Sequence, residues 1–410
     1  MKQQLNDLLA SRNLDAILVT GPGQHNPPMV YLTGGGHLTQ ADLIQKRGAA
    51  PVLFYRPMER DEAARTGLAT KNLDDYKYHE LLKACSGNPI EATALRYKQM
   101  LTDAGVTSGR VTLYGQNDVG ASFAIFSTLQ RIMPELTLTG EVGDTLLFEA
   151  MMTKDEAEIA RIRQMGKVTT AVVGQVADFL ASQQAQDGVL VGKDGIPVTI
   201  GAVKRLINLW LAERGAENPE GTIFAQGYDA AIPHSTGNDE AALRLGQTIV
   251  FDIFPCEAGG GYFYDFTRTW CLGYAPDEAL AIYEQVQQAY QLTINALRMN
   301  TPFKNYQRQV CEFFERHGHP SIKSAPQTQE GYVHSVGHGL GLHVHERPFS
   351  GLTSTSADIL APGSVFTVEP GLYYPARKLG VRLEDTVWMR PDGTAEVLVD
   401  YPMELLIPVK

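Results

Sequence analysis

The chain has 410 residues, more than one ordinary hydrophobic core supports, which indicates about two or three domains. Hydrophobic residues make up 44% and charged residues 20%, which excludes a disordered chain, and no stretch approaches the roughly 20 apolar residues of a membrane helix. The formal net charge of −11 argues against nucleic acid and anionic membrane surfaces as partners.

Cysteine usage and the N-terminal sequence both indicate the cytoplasm. The four cysteines lie far apart and form no CxxC pair, which is typical of reduced thiols. The first residues lack the basic start, apolar core and small-residue cleavage site of a signal peptide. We therefore expect a cytoplasmic protein with unpaired cysteines.

From residue 14 to about 150, short β-rich runs alternate with helical stretches. This alternation is typical of an α/β layer. The glycine- and proline-rich segments within it match no phosphate-binding motif, so we interpret them as turns. The β-rich runs are 16–19, 51–55 and 110–114, and the helical stretches include 89–104 and 121–132.

A second region begins near Thr153, which is placed to cap a long helix. We place the domain boundary there, which gives an N-terminal domain of residues 1–152 and a C-terminal domain of residues 153–410. In the C-terminal domain strands and helices occur in separate blocks, which favours an α+β architecture. The predicted strands are 222–225, 248–254, 262–271, 364–369, 381–389 and 395–399, and the predicted helices are 200–214, 276–299 and 306–317.

Four carboxylates occupy positions that strand propensity disfavours. In TIVFDIF, side-chain alternation surrounds Asp252 with apolar residues whichever face is buried, and Asp265 lies in the same setting in the next strand. The intervening PCEAGGG is typical of a hairpin turn, so the two acids can meet on one face of an antiparallel pair. Glu369 ends the apolar strand SVFTVEP, and Glu384 lies in VRLEDTVW.

Buried carboxylates persist when basic side chains or metal ions neutralise them. In the same strands the basic side chains are Arg268 and Arg382, too few for four acids. The segment HSVGHGLGLHVHERP adds four histidines within twelve residues. One neutral imidazole with four carboxylates suits two divalent ions, and mainly oxygen donors favour Mn or Co, with Zn or Fe as further candidates, over a structural zinc.

The acids and one histidine together resemble a known family. The series Asp252, Asp265, His338, Glu369 and Glu384 is similar to the five-ligand set of the pita-bread metallopeptidases, which include aminopeptidase P, prolidase and methionine aminopeptidase. The flanking motifs DFTRTW, GHGLGLHVHERP, VEPGLYY and VRLEDT fit as well. Residues 1–150 more loosely resemble the N-terminal domain of prolidases, aminopeptidases P and creatinase, which methionine aminopeptidases generally lack.

This resemblance implies an α+β protein with a C-terminal pita-bread catalytic domain and a smaller α/β N-terminal domain. The chain departs from the family at the first ligand, where DIFP replaces the common Asp-x-Gly and the two aspartates lie two positions further apart than usual. Two extra residues keep the strand parity, so both acids still face the same way. We expect the metal ligands to be retained and the turn beside them to have an unusual shape.

The resemblance also implies roles for the ligands. Asp265 and Glu384 bridge two metal ions, Asp252 completes one site, and His338 with Glu369 completes the other. A hydroxide between the ions attacks the scissile carbonyl. Glu369 is the candidate for handling the proton of that water.

Further histidines match positions that meet the substrate in the family. His234, in AAIPHSTGND, and His345 correspond to residues that contact the substrate carbonyl or amide nitrogen, and His334 corresponds to a histidine lining the pocket. Imidazole in these positions can stabilise the developing oxyanion or protonate the leaving amine. All three are candidate catalytic residues.

Three arginines receive expected roles. Arg268 and Arg382 would neutralise and orient the ligand acids without contacting the substrate. Arg377, in the loop GLYYPARKLGVRL, would anchor the free C-terminal carboxylate of a dipeptide, although a solvated loop tip is the competing interpretation.

The predicted function is that of a dinuclear metal-dependent exopeptidase acting on short proline-containing peptides, as an Xaa-Pro dipeptidase or an Xaa-Pro aminopeptidase. The resemblance also suggests a homodimer. Two alternatives stay open, since a fold alone does not establish activity. They are a non-catalytic pita-bread module that binds peptides or proteins, and a metal-free amidinohydrolase similar to creatinase.

Overall fold

The computed structural model describes residues 4–410, whose contacts divide into two compact units. The first unit comprises the residues up to Met151 together with Gly259–Gly261, and the second comprises Met152–Ala258 and Tyr262–Lys410. In the described part of the chain, no helix has both the length and the apolar character needed to cross a membrane.

A six-stranded mixed sheet with accompanying helices forms the first unit. Its strands are β1 (Ala16–Gly21), β2 (Ala41–Lys46), β3 (Val52–Tyr55), β4 (Ala69–Asn72), β5 (Gly109–Gly115) and β6 (Leu136–Thr139). Its helices are α1 (Gln4–Ser11), α2 (Pro27–Thr33), α3 (Arg60–Arg65), α4 (Tyr78–Ala84), α5 (Pro89–Asp103), α6 (Val119–Ile132) and α7 (Leu146–Met151). The sheet order is β4-β3-β2-β1-β5-β6, in which β1 is parallel to β5 and antiparallel to β2.

Strand β2 was not predicted from the sequence, because polar residues interrupt its apolar pattern. Asp42 and Gln45 lie within it, yet both are buried. The Asp42 carboxylate accepts a hydrogen bond of 2.8 Å from the hydroxyl of Tyr97 on α5. A partner from a distant helix thus makes the buried acid tolerable, and local pattern could not reveal that partner.

The second unit contains several small sheets and four longer helices. The helices are α8 (Glu156–Ala181), α9 (Ile200–Ala212), α10 (Asp277–Ala296) and α11 (Lys304–Arg316). The strands up to residue 272 are β7 (Gln184–Gln186), β8 (Val189–Val191), β9 (Ala216–Glu217), β10 (Thr222–Gln226), β11 (Thr248–Ile253), β12 (Cys256–Glu257) and β13 (Phe266–Leu272). The remaining strands are β14 (His338–Gly339), β15 (Glu346–Phe349), β16 (Val365–Val368), β17 (Gly371–Tyr374), β18 (Leu379–Arg382), β19 (Asp385–Met389), β20 (Ala395–Val397) and β21 (Leu406–Ile407).

The long helix α8 begins differently from the prediction. Asp155, not Thr153, is its N-cap. The Asp155 carboxylate accepts the backbone N–H of Glu158, and the Glu158 carboxylate accepts the backbone N–H of Asp155. This reciprocal capping box satisfies two backbone donors where a single threonine hydroxyl would satisfy one, which explains why the helix starts after Asp155.

Two sheets of the second unit meet at one backbone bridge. The four-stranded sheet has the order β10-β11-β13-β21, and the five-stranded sheet has the order β15-β14-β16-β19-β20. Thr267 of β13 forms an isolated antiparallel bridge with Glu384. The predicted strand 381–389 is consequently split at residues 383–384, with β18 pairing with β17 and β19 pairing with β16.

An apolar core supports the five-stranded sheet from one side. Val286 of α10 and Phe314 of α11 belong to the same buried cluster as Phe366 of β16 and Val387 of β19. Because these side chains are almost fully buried, the helices fix the strands whose ends carry the acidic residues.

Candidate metal centre

Strands β11 and β13 bring the two aspartates together. The strands are antiparallel, and Asp252 lies opposite Thr267. Asp265 precedes β13 by one residue and shares the strand parity of Thr267, so its side chain lies on the same face as that of Asp252. Both residues are buried, at 8% and 4% exposure for Asp252 and Asp265.

The second pair of strands places the glutamates beside them. Val368 of β16 lies opposite Asp385 of β19, so Glu369 and Glu384, the neighbouring residues, lie at the same end of this pair. Glu384 also forms a backbone bridge with Thr267, the residue opposite Asp252, so this end of the pair lies beside the aspartates. His338 begins β14, the neighbour of β16, and its backbone N–H donates to the Thr367 hydroxyl at 3.1 Å.

The five side chains predicted as metal ligands form a cluster. The His338 Nε2 atom lies 3.6 Å from Asp265 Oδ2 and 3.3 Å from Glu369 Oε1. Asp265, His338 and Glu384 each offer a ligand atom, and these atoms all lie within 4.8 Å of one another. Asp252 is held in the cluster by Arg382, whose Nη2 is 2.6 Å from Asp252 Oδ2.

Two buried oxygen atoms of this cluster find no partner among residues 4–410. Among the described residues, Asp252 Oδ1 and Asp265 Oδ1 are buried and accept no hydrogen bond. A buried carboxylate oxygen without a partner is costly, and a cation would relieve that cost. The donor set therefore fits divalent cations, because it combines carboxylate oxygens with one imidazole nitrogen.

Burial and neighbouring charges shift the pKa values of the acids in this cluster. Burial, followed by the charges of Asp252 and Glu369, raises the pKa of Asp265 well above its usual range. Burial and the charge of Asp265 likewise raise the pKa of Glu384. For Glu369 burial opposes ionisation, but His334 and His338 outweigh it and lower the pKa to about 2. Full ionisation of all the acids thus requires added positive charge.

His338 is arranged as a neutral ligand. Burial lowers the pKa of its imidazole below the usual value. Its Nδ1 lies 3.0 Å from the carbonyl oxygen of Gly339, which can only accept a hydrogen bond. We therefore assign the proton to Nδ1, which leaves the lone pair of Nε2 directed toward Asp265 and Glu369.

The three other predicted histidines lie around this cluster. His334 Nδ1 is 3.1 Å from Glu369 Oε2, and His334 Nε2 is 3.2 Å from His234 Nε2. The ring of His345 lies 4.3 Å from that of His338, measured between ring centroids. His234 and His345 are exposed, whereas His334 is half-buried. All three can therefore meet a ligand at the cluster.

The arginines occupy three different settings. Arg382 contacts Asp252 as expected and also donates to the Tyr373 hydroxyl at 2.8 Å. The expectation for Arg268 needs correction, since its ion-pair partner is Asp385 at 3.0 Å. Side-chain alternation along β13 points Arg268 away from the ligand carboxylates. Arg268 Nη1 contacts Glu384 only at its backbone carbonyl oxygen, to which it donates at 2.8 Å.

Arg377 contacts none of the five predicted ligands in the hydrogen bonds and ion pairs found among residues 4–410. Its guanidinium lies 3.1 Å from Glu278 and stacks 4.2 Å from the ring centroid of Tyr374. The side chains of Arg377 and Glu278 are each about half exposed, at 49% and 56%. The pair is therefore a solvent-exposed one.

Two threonines that the sequence analysis did not select hold the glutamates. Thr267 Oγ1 donates to Glu384 Oε2 at 2.6 Å, and Thr367 Oγ1 donates to Glu369 Oε1 at 3.2 Å. The sequence did contain a signal for Thr367, because it lies two residues before Glu369 in the same predicted strand and so shares its face. The contact of Thr267 depends on pairing with a distant segment and had no local signal.

A buried ion pair shapes the loop that carries His345. Lys154 Nζ lies 2.7 Å from Glu346 Oε2, and both side chains are almost fully buried. Glu346 Oε1 accepts the backbone N–H groups of Leu342 and His343 at 2.7 and 3.1 Å. The loop is thus folded around one carboxylate, another feature that sequence analysis did not find.

Comparison with known proteins relates this geometry to a family. The sequence profile of metallopeptidase family M24 matches residues 160–391, more than half of the chain. The chain is 28% identical over 256 residues to the probable dipeptidase PepE of Mycobacterium tuberculosis, which covers 62% of this chain and 60% of that protein. It is 34% identical over 194 residues to the Xaa-Pro dipeptidase of Pyrococcus furiosus, which covers 47% of this chain and 51% of that protein. These matches span only half to two thirds of the relatives' length.

The fold also resembles solved structures over nearly the whole chain. A dipeptidase from Pyrococcus horikoshii OT3 superimposes with a TM-score of 0.74 at 23% identity, covering 98% of this chain and 99% of that one. This likeness confirms the predicted fold class, a pita-bread domain preceded by a smaller α/β domain. Together with the profile match, it shows that the predicted resemblance was correct: the chain belongs to metallopeptidase family M24.

Proposed function

We propose that this chain is a dinuclear metal-dependent exopeptidase that hydrolyses short peptides at bonds next to proline. The observation that carries the proposal is the buried cluster of four carboxylates and His338, in which two carboxylate oxygens have no partner in the described part of the chain. Membership of family M24 supports it, as do the descriptions of two relatives as a probable dipeptidase and an Xaa-Pro dipeptidase.

Two divalent ions would be held by Asp252, Asp265, His338, Glu369 and Glu384. Asp265, His338 and Glu384 already offer ligand atoms within 4.8 Å of one another, and Asp252 and Glu369 would supply the further oxygen donors. When bound, such ions polarise a peptide carbonyl and make water a stronger acid near neutral pH. Oxygen donors outnumber nitrogen donors in this set, which favours Mn or Co over Zn or Fe.

The chain's own side chains would move the protons and bind the peptide. Glu369 would accept a proton from the attacking water. His234 and His345 would contact the peptide carbonyl or the leaving nitrogen, and His334 would orient both Glu369 and His234. Arg382 would neutralise part of the charge of Asp252 and fix its orientation.

Arg377 remains our candidate for recognising a free C-terminal carboxylate. A planar guanidinium binds a carboxylate through two parallel hydrogen bonds. Its partner Glu278 is exposed, and exposed ion pairs contribute only about 0–1 kcal/mol, so a substrate carboxylate can compete for Arg377. Recognition of that carboxylate by Arg377 would make the enzyme a dipeptidase rather than an aminopeptidase.

We further propose that the protein acts as a cytoplasmic homodimer. The family resemblance supports the dimer, and the four cysteines, all unpaired, are consistent with a reducing compartment. Sedimentation equilibrium measures the mass directly, and a monomeric mass at micromolar concentration would exclude the dimer.

Product analysis tests the reaction and the end preference together. The protein, stripped with a chelator and reloaded with Mn²⁺, is incubated with Ala-Pro, its C-terminal amide, Ala-Pro-Ala and Ala-Ala-Pro. We expect Ala-Pro to give alanine and proline, with the amide a poor substrate. Arg377→Ala should raise KM for Ala-Pro with less change in kcat, while Lys378→Ala, in the same loop, serves as the matched control.

Each contrary outcome selects a different alternative. Equal cleavage of Ala-Pro and its amide removes the dipeptidase preference and favours an aminopeptidase. Two bound Mn²⁺ ions without hydrolysis of any peptide favour the binding module. Activity on creatine in excess chelator would favour the metal-free amidinohydrolase.

A further inference from the structure

Helix α11 carries one buried carboxamide among largely apolar side chains. Its buried residues are Tyr306, Gln307, Val310, Cys311, Phe313 and Phe314. The Gln307 side chain has no exposed surface. Because burying an amide without partners is costly, its position on this face depends on the hydrogen bonds it makes there.

Gln307 binds one short segment of chain at three points. Its Oε1 accepts the hydroxyl of Tyr332 at 3.0 Å and the backbone N–H of Val336 at 2.5 Å. Its Nε2 donates to the backbone carbonyl oxygen of His334 at 3.1 Å. A backbone N–H can only donate and a carbonyl oxygen can only accept, so the two backbone partners fix the orientation of the amide.

The same segment contacts the metal centre on its other side. The carbonyl oxygen of Val336 accepts the backbone N–H of Glu369 at 2.9 Å. The His334 ring lies between Glu369 Oε2, at 3.1 Å, and His234 Nε2, at 3.2 Å. Residues 332–336 are thus held between α11 and Glu369, with His334 at the middle.

The residue that follows this segment leaves little room for it to shift. A Cβ atom on Gly337 would lie 2.0 Å from the carbonyl oxygen of Thr367, so the backbone packs directly against β16. Gln307 faces the segment from α11. The backbone around His334 is therefore set by contacts on both sides.

We propose that Gln307 is a positioning residue that holds the backbone around His334 so that its ring stands between Glu369 and His234. The inference rests on the proposed function, because it places His334 in the peptidase site. Gln307 acts through His334, since three of its hydrogen bonds go to residues 332–336, and the fourth, a long one of 3.8 Å to Cys311 Sγ, stays within α11.

The test compares three variants. Gln307→Met keeps the length of the side chain and removes its polar atoms, while Tyr332→Phe removes one of the three hydrogen bonds. Gln309→Met lies on the same helix at a partly exposed position and is the control. For each, kcat and KM for Ala-Pro with Mn²⁺, bound Mn²⁺ per chain, and amide hydrogen exchange in residues 332–336 are measured.

We expect Gln307→Met to lower kcat by about 10- to 100-fold, because a displaced catalytic group costs that much, while KM and bound Mn²⁺ stay near the parent values. Exchange in residues 332–336 should become faster. Tyr332→Phe should show smaller changes in the same directions, and Gln309→Met should match the parent protein.

Parental kcat and exchange in Gln307→Met would overturn the inference. If Gln307→Met fails to fold or loses its Mn²⁺, Tyr332→Phe decides, and parental values there would also overturn it. A parent protein that binds Mn²⁺ but cleaves no peptide refutes the proposed function and with it the catalytic role. In that case the exchange data still decide whether Gln307 holds the segment.

Discussion

Asp252 and Asp265 differ in how the protein neutralises their negative charges. Asp252 has a guanidinium 2.6 Å away, whereas the basic group nearest to Asp265 among its ion-pair contacts is His338, at 3.6 Å. Because burial lowers the pKa of His338, that imidazole brings no charge near neutral pH. Asp265 is therefore the acid that depends most on a bound cation.

This difference predicts opposite effects of Asp265→Asn with and without metal. In chelator Asp265 is buried beside like charges, at a cost that its raised pKa reflects, and asparagine avoids that cost, so the free energy of unfolding should rise by an order of 1 kcal/mol. With Mn²⁺ present, Asp265→Asn should lose at least one bound ion and abolish peptide cleavage, and Glu384→Gln should do the same. Urea unfolding, metal analysis and the Ala-Pro assay measure these effects.

A matched control is Asp385→Asn, at a buried aspartate that has a cation. Asp385 accepts hydrogen bonds from Arg268 at 3.0 Å and from the Tyr290 hydroxyl at 2.6 Å. Removing its charge leaves Arg268 buried and unpaired, which should cost about 3–5 kcal/mol in chelator. Destabilisation of equal size by Asp265→Asn would show that Asp265 already has an adequate partner without metal.

At this scale the sequence predicted which residues would cluster, but not their supporting contacts. An acid inside an apolar strand is anomalous on its own, so Asp252 and Asp265 could be selected without knowing the fold. Thr267 and Gln307 are unremarkable in the sequence, since a threonine suits a strand and a glutamine suits a helix. Their roles depend on partners from distant segments, and the partner of Arg268 was misjudged for the same reason.

Among the elements, helix α8 contains two interior glycines in contrasting surroundings. A Cβ on Gly166 would lie 2.5 Å from the ring of Tyr264 and 2.6 Å from Val399. A Cβ on Gly174 would meet only Tyr401, at 3.8 Å, an ordinary contact. Tyr264 is fully buried and precedes Asp265, so Gly166 allows the helix to pack close to the acidic cluster.

The two glycines predict opposite changes in stability. Gly174→Ala should raise the free energy of unfolding by about 0.5–1 kcal/mol, because alanine restricts the unfolded chain and fits the helix. Gly166→Ala should instead lower it by about 1–3 kcal/mol, since Tyr264 or the helix must move. Thermal and urea unfolding of both variants test this, and a stabilised Gly166→Ala would mean that the packing there relaxes freely.

Secondary structure was predictable where local chemistry decides it. Helices α9 and α11 lie close to their predicted positions because their apolar residues recur at helical spacing. The break between β18 and β19 was not predictable, since VRLEDTVWM is a continuous strand pattern. The break arises because the backbone of Glu384 pairs with Thr267 of another sheet.

On the scale of the whole molecule, metal binding should be coupled to the stability of the second unit. The five proposed ligands come from segments that only the folded chain brings together, so ions should bind the native state in preference to the unfolded chain. Mn²⁺ at 100 times its dissociation constant should add about 2.7 kcal/mol per independent site to the free energy of unfolding. Urea titrations at several Mn²⁺ concentrations measure this gain.

The variant Asp265→Asn is the control, because the gain in the free energy of unfolding with Mn²⁺ should largely disappear in it. A midpoint that does not depend on Mn²⁺ in the parent protein would show that the cluster binds the ion no better when folded than when unfolded. The first unit, which holds none of the proposed ligands, provides an internal reference if its unfolding can be followed separately.

The bridge between Thr267 and Glu384 has a consequence for synthesis of the protein. These residues are 117 positions apart, so a growing chain presents Asp252 and Asp265 long before Glu369 and Glu384 have been made. During that interval strands β11 and β13 carry two acids whose cation site is still incomplete, while other parts of the chain can already fold. Binding of the proposed metal ions would therefore follow translation of the last acidic strand, and a nascent chain truncated before Glu369 should remain metal-free.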